Sequence, residues 1–273
     1  MRCRRKTMNL FLHEMKAYWK FLLFWSIGIV AMIGGGMGKF TAIYGSSDAS
    51  FTDLFSKLPK AFIAMFGMSN LEITSLSGYY GVIHFYLVIM ASIFAIILGA
   101  GILAKEERDK TAEFLMVKPV TRSWVLVQKL LAGLIYIVAF VAIDYLVSVL
   151  FISQIAPQEN ISRELTLMMG SLLLVMLAFY CVSFGLSGAL KDNRKSSMIM
   201  ISLMGASYIG SVVFDMVDNI EWLRPYIMFK YFPTDLIVKN LNLEPLYLGL
   251  ALLWILVGLA MAFIRFPRRD LHI

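Results

Sequence analysis

Six long apolar runs decide what this chain of 273 residues can fold into. Each run is about 20 residues long, the length at which an α-helix crosses a hydrocarbon core of about 30 Å. Because 59% of the residues are hydrophobic and only 16% are charged, a soluble globular domain is excluded. The chain is therefore predicted to be all-α, a polytopic membrane protein that forms one domain over residues 1–273. The predicted spans are 21–38, 81–104, 125–152, 165–190, 198–216 and 246–266.

Basic residues are concentrated on one side of the predicted spans. With the N-terminus inside, the inner segments contain Arg2, Arg4, Arg5, Lys6, Lys16, Lys20, Lys105, Arg108, Lys110, Lys118, Arg122, Lys129, Lys191, Arg194, Lys195, Arg265, Arg268 and Arg269. The remaining basic residues are Lys39, Lys57, Lys60, Arg163, Arg224, Lys230 and Lys239. Since inner loops of membrane proteins are enriched in Lys and Arg, both termini are predicted to be cytoplasmic. The net charge of +7 is then expected to face anionic lipid headgroups, and no nucleic acid partner is expected.

Three further segments are predicted to lie along the membrane surface. Residues 8–20 repeat apolar side chains at helical spacing, which favours an interfacial helix over a simple extension of the first span. Residues 39–80 form an outer, re-entrant or interfacial segment, in which Pro59 is expected to start a short helix and Gly67 to end it. Residues 217–245 form a second outer segment, which Pro225 and Pro233 interrupt.

The sequence contains no catalytic or nucleotide-binding motif. Its cysteines, Cys3 and Cys181, are too few for a disulfide framework or a cysteine metal site. The run from Gly34 to Phe40 resembles a phosphate-binding loop, but it lacks the first glycine and the final hydroxyl of that motif. Its glycines are expected to permit close helix packing. The chain is therefore predicted to be no enzyme and to bind no cofactor or metal of its own.

Polar residues inside the spans are few. Asp144 is the one acid deep in a predicted span, and it is either a functional group facing a cavity or partner or a hydrogen-bonded structural acid. His84 and Asp215 lie near outer ends and are expected to contact the interface or water. The small residues from Ser183 to Ala189 are expected to let another helix approach closely.

The most unusual stretch joins the second and third spans. Residues 105–122, the charged segment, contain nine ionisable side chains in an otherwise apolar region. Three acids come at its start, where the positive end of a helix dipole favours them. An apolar end follows, and Pro119 is expected to stop the helix before the third span. A short, charged helix at the membrane surface suits a partner protein that pushes on it.

In this segment the chain resembles the permeases of ABC transporters of the type-2 exporter class. The similar residues run from Glu107 through Thr111, Glu113 and Pro119 to Arg122, with a lysine, Lys129, opening the third span. Lys110 stands where the family usually has glycine. The interfacial N-terminal helix, Leu58–Ala61 before Gly67, and Tyr231–Asp235 before the last span are also similar, so the resemblance covers the whole chain.

The resemblance implies six helices per subunit, a second permease subunit (identical or a paralogue) and two cytoplasmic ATPase subunits that bind ATP and Mg. It implies that residues 105–118 form the coupling helix. The candidate contacts with the ATPase are Glu106, Glu107, Arg108, Asp109, Lys110, Thr111 and Glu113, with Pro119 and Arg122 fixing the turn into the third span. The expected activity is ATP-driven export of a hydrophobic or amphipathic cargo (peptide, lipid or antibiotic) across a bacterial inner membrane.

Two alternatives remain open from the residues. An ion-coupled secondary transporter would use Asp144 and would work without an ATPase partner. A non-transporting membrane scaffold or a lipid-modifying enzyme is the other alternative. The enzyme is disfavoured because no nucleophile or metal-ligand constellation is present.

Overall fold

The computed structural model describes residues 2–44, 58–108, 121–190, 193–217 and 219–268, and in these ranges it contains helices and no strand. The longer helices are α1 (Arg2–Tyr44), α3 (Leu76–Arg108), α4 (Arg122–Ile155), α5 (Ser162–Ala189), α6 (Asn193–Met216) and α8 (Pro245–Arg265). The short ones are α2 (Lys60–Met65) and α7 (Thr234–Asn240), with 3-10 turns at Glu221–Tyr226, Met228–Lys230 and Phe266–Arg268.

Within the described ranges, six helices are long and apolar enough to cross a membrane. They are Leu10–Phe40, Leu76–Lys105, Arg122–Ile155, Ser162–Ala189, Lys195–Met216 and Pro245–Arg268. Each contains one of the predicted spans or all but the last residue of it, so the prediction of an all-α polytopic membrane protein is confirmed.

The first helix differs from the prediction. Residues 8–20 are not a separate interfacial helix, because α1 is continuous from Arg2 to Tyr44. No proline interrupts this stretch, and in lipid a helix keeps its hydrogen bonds even through the glycines at 34–36, since no water could replace them. With 43 residues and a rise of 1.5 Å per residue, α1 is about 64 Å long, twice the thickness of the hydrocarbon core.

Helix α5 lies at the centre of the bundle and packs most closely on α3 and α8. Ser183 and Ser187 donate hydrogen bonds to the carbonyls of Ile96 and Ala100 in α3 at 2.8 and 3.0 Å. The close approach predicted for this stretch is confirmed, and the approaching helix belongs to the same chain.

The contact of α5 with α8 is closer still. A Cβ built on Gly185 would lie 2.3 Å from the carbonyl oxygen of Gly258, and one on Gly258 would lie 2.3 Å from the backbone of Cys181. Both distances are far below van der Waals contact. Only glycine at these positions lets the two backbones meet.

The outer segments follow the predicted breaks in their described parts. Pro59 precedes α2, and Gly67 ends it with φ +66°, where a Cβ would lie 2.4 Å from the ring of Phe85. Pro233 precedes α7. Both outer segments are attached to α6. The hydroxyl of Tyr208 donates to the carbonyl of Met65 in the first, and the hydroxyl of Ser207 accepts from the backbone N–H of Phe229 in the second.

The glycines of α1 also allow close packing, at Gly34 and Gly36. Gly34 lies against the ring of Phe151 in α4, and Gly36 lies against Ile83 in α3. Beside Gly38, a built Cβ would meet no heavy atom of the described residues within 4 Å. Helix α1 therefore packs between α3 and α4, running parallel to α4.

Candidate coupling site and buried polar groups

The charged segment is described only at its two ends. Helix α3 is continuous through Lys105 to Arg108, the last residue described before residue 121. Glu106 and Glu107 therefore continue α3 and do not begin a new helix, which the sequence had suggested. Glu106, Glu107 and Arg108 are the last residues of α3 by their backbone, and their side chains lie outside the described part. Asp109, Lys110, Thr111, Glu113 and Pro119 lie outside the described residues, as does most of the predicted coupling helix at 105–118.

The C-terminal end of the charged segment is fixed to the helix bundle. Thr121 caps α4, because its side-chain oxygen accepts a hydrogen bond from the backbone N–H of Trp124 at 3.3 Å. Arg122 opens α4 and donates from Nη1 to the carbonyl of Pro267, just beyond α8, at 3.2 Å. The segment therefore re-enters the bundle at a defined place, beside the end of the last helix.

Three charged side chains meet where the segment leaves and re-enters the bundle. Glu14 of α1, Lys105 of α3 and Lys129 of α4 form this inner cluster, in which Glu14 is 0% and Lys129 1% exposed. Nζ of Lys129 donates to Glu14 Oε1 at 3.1 Å and to the carbonyl of Ile102 at 2.5 Å. Nζ of Lys105 lies 3.8 Å from Glu14 Oε2 and 3.4 Å from Nε2 of His13. One carboxylate thus contacts both helices that flank the charged segment.

Aromatic side chains surround the inner cluster. Tyr136 of α4 donates a hydrogen bond to the carbonyl of Met15 in α1. Its ring lies edge-on to Tyr18, with centroids 6.3 Å apart. The hydroxyl of Tyr180 lies 3.2 Å from the carbonyl of Leu130. These groups exclude water from the Glu14–Lys129 pair, and at lower effective dielectric the attraction between two charges is stronger.

Sequence reasoning missed Glu14, although a signal for it exists. It is the only acid before Asp48, and its spacing from Phe11 and Tyr18 places it on the apolar face of the amphipathic stretch. An acid on an apolar helix face requires a buried partner. Lys129 was picked out by the resemblance, but its partner 115 residues away was not.

Asp144 lies in the other half of α4 among different neighbours. It is 0% exposed. The hydroxyl of Ser148 lies 2.7 Å from the backbone carbonyl oxygen of Asp144 and 3.4 Å from its Oδ1. The same hydroxyl forms a hydrogen bond of 2.6 Å with the hydroxyl of Tyr80. Its other oxygen, Oδ2, has no hydrogen-bond partner in the described part of the chain. The structure thus brings Asp144 together with Ser148 and Tyr80 and not with the charged segment. We call these three residues the Asp144 cluster.

Two expectations about outer polar residues are wrong. His84 is 1% exposed, and neither ring nitrogen has a hydrogen-bond partner among the described residues. It shares a face of α3 with Tyr80, one turn away, and that face points into the bundle. Asp215 is not simply hydrated, because its carboxylate lies 2.5 Å from Nζ of Lys230, with both side chains nearly buried at 12% and 11% exposure. Hydropathy predicts how deep in the membrane such a residue lies, but it does not predict whether its side chain faces the lipid or the helix bundle.

The comparison with known families agrees with this architecture. A family model described as ABC-2 family transporter protein matches residues 8–271. The chain belongs to this family. Among curated proteins, none matches it significantly. An ABC-2 chain of this kind is the permease subunit of an ABC transporter, a membrane subunit without catalysis of its own, and membership implies an ATPase partner. In this ABC-2 permease the inner cluster lies where the charged segment joins the helix bundle. The resemblance implies that this segment contacts the ATPase.

Proposed function

We propose that this permease exports a hydrophobic or amphipathic cargo with energy from a cytoplasmic ATPase that contacts the charged segment. The observation that supports it best is the anchoring of that segment. Its first residue, Lys105, belongs to α3 and contacts Glu14 of α1. Its last residue, Arg122, opens α4 and contacts the carbonyl of Pro267, just beyond α8. A segment held in this way passes an applied displacement to the helices, whereas a loosely attached loop would absorb it.

The contacts would come from Glu106, Glu107, Arg108, Asp109, Lys110, Thr111 and Glu113, with Pro119 and Arg122 setting the direction in which the chain returns to the membrane. Charged groups at such a contact set the partner and its register more than the raw affinity. In this proposal two ATPase subunits bind ATP and Mg, and two permease subunits, identical or paralogous, enclose the pathway. The complex lies in a bacterial inner membrane with both termini of the permease in the cytoplasm, as the basic residues suggest.

The cargo class is inferred from the apolar character of the spanning helices. The described parts of the spans are mostly apolar, and their buried polar groups are mainly serines and tyrosines, apart from the scattered side chains of Glu14, His84, Lys129 and Asp144. Such a surface suits a peptide, a lipid or an antibiotic with a large apolar portion better than a sugar or an ion, which needs several convergent polar groups.

Replacing the charged segment tests the ATPase contact. Residues 106–113 are exchanged for a Gly/Ser linker of equal length, and the tagged permease is used to pull down the ATPase from the reconstituted complex. We expect loss of association and of permease-dependent ATP turnover. The control exchanges residues 157–160, the loop between α4 and α5 at the opposite membrane face, and should retain both. Unchanged association after replacement of 106–113 contradicts the proposal.

An ion-coupled mechanism is the second candidate, because Asp144 is a buried carboxyl group and one of its oxygens has no hydrogen-bond partner among the residues that the structure describes. It predicts uptake or efflux by the permease alone in proteoliposomes under an ion gradient, abolished in Asp144→Asn. The ATP-driven mechanism predicts no movement of cargo in that experiment until ATPase and ATP are added.

A further inference from the structure

Glu14 is a buried acid whose position the family assignment does not explain. It lies in α1, far along the chain from the charged segment, yet its carboxylate contacts Lys105 at 3.8 Å and Lys129 at 3.1 Å. Lys105 is the first residue of that segment and has the last side chain described before residue 121, and Lys129 comes two turns after α4 begins. The inner cluster therefore joins α1 to both helices that carry the segment.

The burial of the cluster makes this link stiff. A charge in an apolar, water-free environment is tolerated only while its partner stays in place, and separating a buried pair is one of the most costly changes in a folded protein. A rotation or slide of α4 against α1 would separate Glu14 from Lys129. The hydrogen bond from Tyr136 to the carbonyl of Met15 opposes the same movement. The inner ends of α1 and α4 consequently move together.

We propose that Glu14 is a positioning residue that makes α1 follow the charged segment when the ATPase moves it. The proposal rests on the proposed function, since it presupposes that the ATPase acts on this segment. It goes beyond that function by assigning transmission inside the permease to one ionic contact. Since α1 is a single helix, movement at Glu14 reaches Lys39 at its other end, about 38 Å away along the helix axis.

The test measures movement at the far end of α1 in the complete complex with its ATPase, reconstituted in lipid nanodiscs. Cys3 and Cys181 are replaced by serine and alanine, and a single reporter, Lys39→Cys, is introduced at an exposed position. The rate of its modification by a membrane-impermeant maleimide is compared between the nucleotide-free state and the state trapped with Mg-ATP and vanadate.

The variant under test is Glu14→Gln combined with Lys129→Met, which removes both charges and leaves neither buried alone. The matched control is Asp215→Asn combined with Lys230→Met, which removes the nearly buried ion pair of the outer segment. Each variant loses one ion pair, so a general loss of stability affects both. Only the first interrupts the link between α1 and the charged segment.

We expect the modification rate to differ between the two states in the parent and in the control variant. In the Glu14 variant the difference is lost, although ATPase association and ATP turnover are retained. A Glu14 variant that keeps the full difference overturns the proposal, and so does a parent with normal turnover but no difference. A parent that does not associate with the ATPase overturns the proposed function as well.

A second variant covers the case in which the double variant does not fold. Lys105→Met removes the partly exposed lysine and leaves the Glu14–Lys129 pair intact. It weakens the link to α3 alone, so we expect a smaller rate difference than in the parent. An unchanged difference in this variant overturns the proposal.

Discussion

Glu14 and Asp144 are both fully buried carboxylates in spanning helices, yet their surroundings are opposite. Glu14 contacts two lysines from two other helices. Within the described part of the chain, Asp144 contacts no basic group, and its polar neighbours are the hydroxyl of Ser148 and, beyond it, that of Tyr80. One acid thus holds helices together by charge, and the other is held by a short chain of hydroxyl groups.

The contrast shows that burial alone does not tell what an acid does in a membrane protein. A paired carboxylate contributes structure, and its removal leaves the partner charge exposed to a medium that cannot solvate it. An unpaired buried carboxylate destabilises the fold, so its presence inside a membrane span indicates a function. The same change, loss of the carboxylate charge, should therefore act in different directions at the two positions.

The largest effect is expected for Glu14→Ala. It leaves Lys129 buried without its carboxylate partner, and breaking a buried pair in this way costs about 3–5 kcal/mol. The measurement is the denaturation midpoint of the purified permease in detergent. Glu14→Gln with Lys129→Met should recover most of the loss, because it removes both charges. A Glu14→Ala protein as stable as the parent would show that the inner cluster does not hold α1.

Ser148→Ala should have an intermediate effect. It leaves the buried hydroxyl of Tyr80 without its partner, which costs about 1–3 kcal/mol. Adding Tyr80→Phe removes both partners of the hydrogen bond and should restore the midpoint nearly to that of the parent. If the double variant is less stable than Ser148→Ala alone, the hydroxyl groups of the Asp144 cluster do not act as a pair.

Asp215→Asn should have a smaller effect, about 1 kcal/mol, although its ion pair with Lys230 is shorter than that of Glu14, because asparagine keeps an oxygen that can accept a hydrogen bond from Lys230 and that lysine is still 11% exposed. This pair joins the outer end of α6 to the outer segment, where water and salt reach its edge and screen the attraction. The midpoint difference from the parent should shrink further in high salt, whereas that of Glu14→Ala should not. An effect as large as that of Glu14→Ala would remove the distinction between the two sites.

Asp144→Asn should have the smallest effect on stability, with a midpoint equal to or above that of the parent. Asparagine keeps an oxygen that accepts from Ser148 and removes a buried charge that has no partner among the described residues. The same variant is assayed for transport in the reconstituted complex. A marked drop of the midpoint would mean that Asp144 is a structural acid with a partner outside the described residues.

Much of the fold could be predicted because lipid imposes simple rules on sequence. Apolar runs of sufficient length became spanning helices, and the glycines and serines from Ser183 to Ala189 became the closest helix contact. Pro59 and Gly67 bounded α2 as their backbone preferences require. The same rules misjudged residues 8–20, because amphipathicity does not distinguish a helix lying on the membrane from the protruding end of a spanning helix.

The candidate site was harder to predict because it depends on contacts between distant parts of the chain. No local pattern could pair Glu14 with Lys129 or bury His84 against the bundle, since both depend on how helices are rotated about their axes. The charge of the segment after α3 was evident from the sequence. The role assigned to its residues came from the resemblance, and it remains a prediction to be tested by the linker replacement.

The contact of Gly185 with Gly258 restricts how the transporter can change shape. Where two helices meet backbone to backbone, no layer of side chains lies between them that could shift to new rotamers and permit sliding. Helices α5 and α8 should therefore travel as one rigid body between conformational states. Any passage that opens for cargo has to part a different pair of helices, so the search for its route can begin by setting this pair aside.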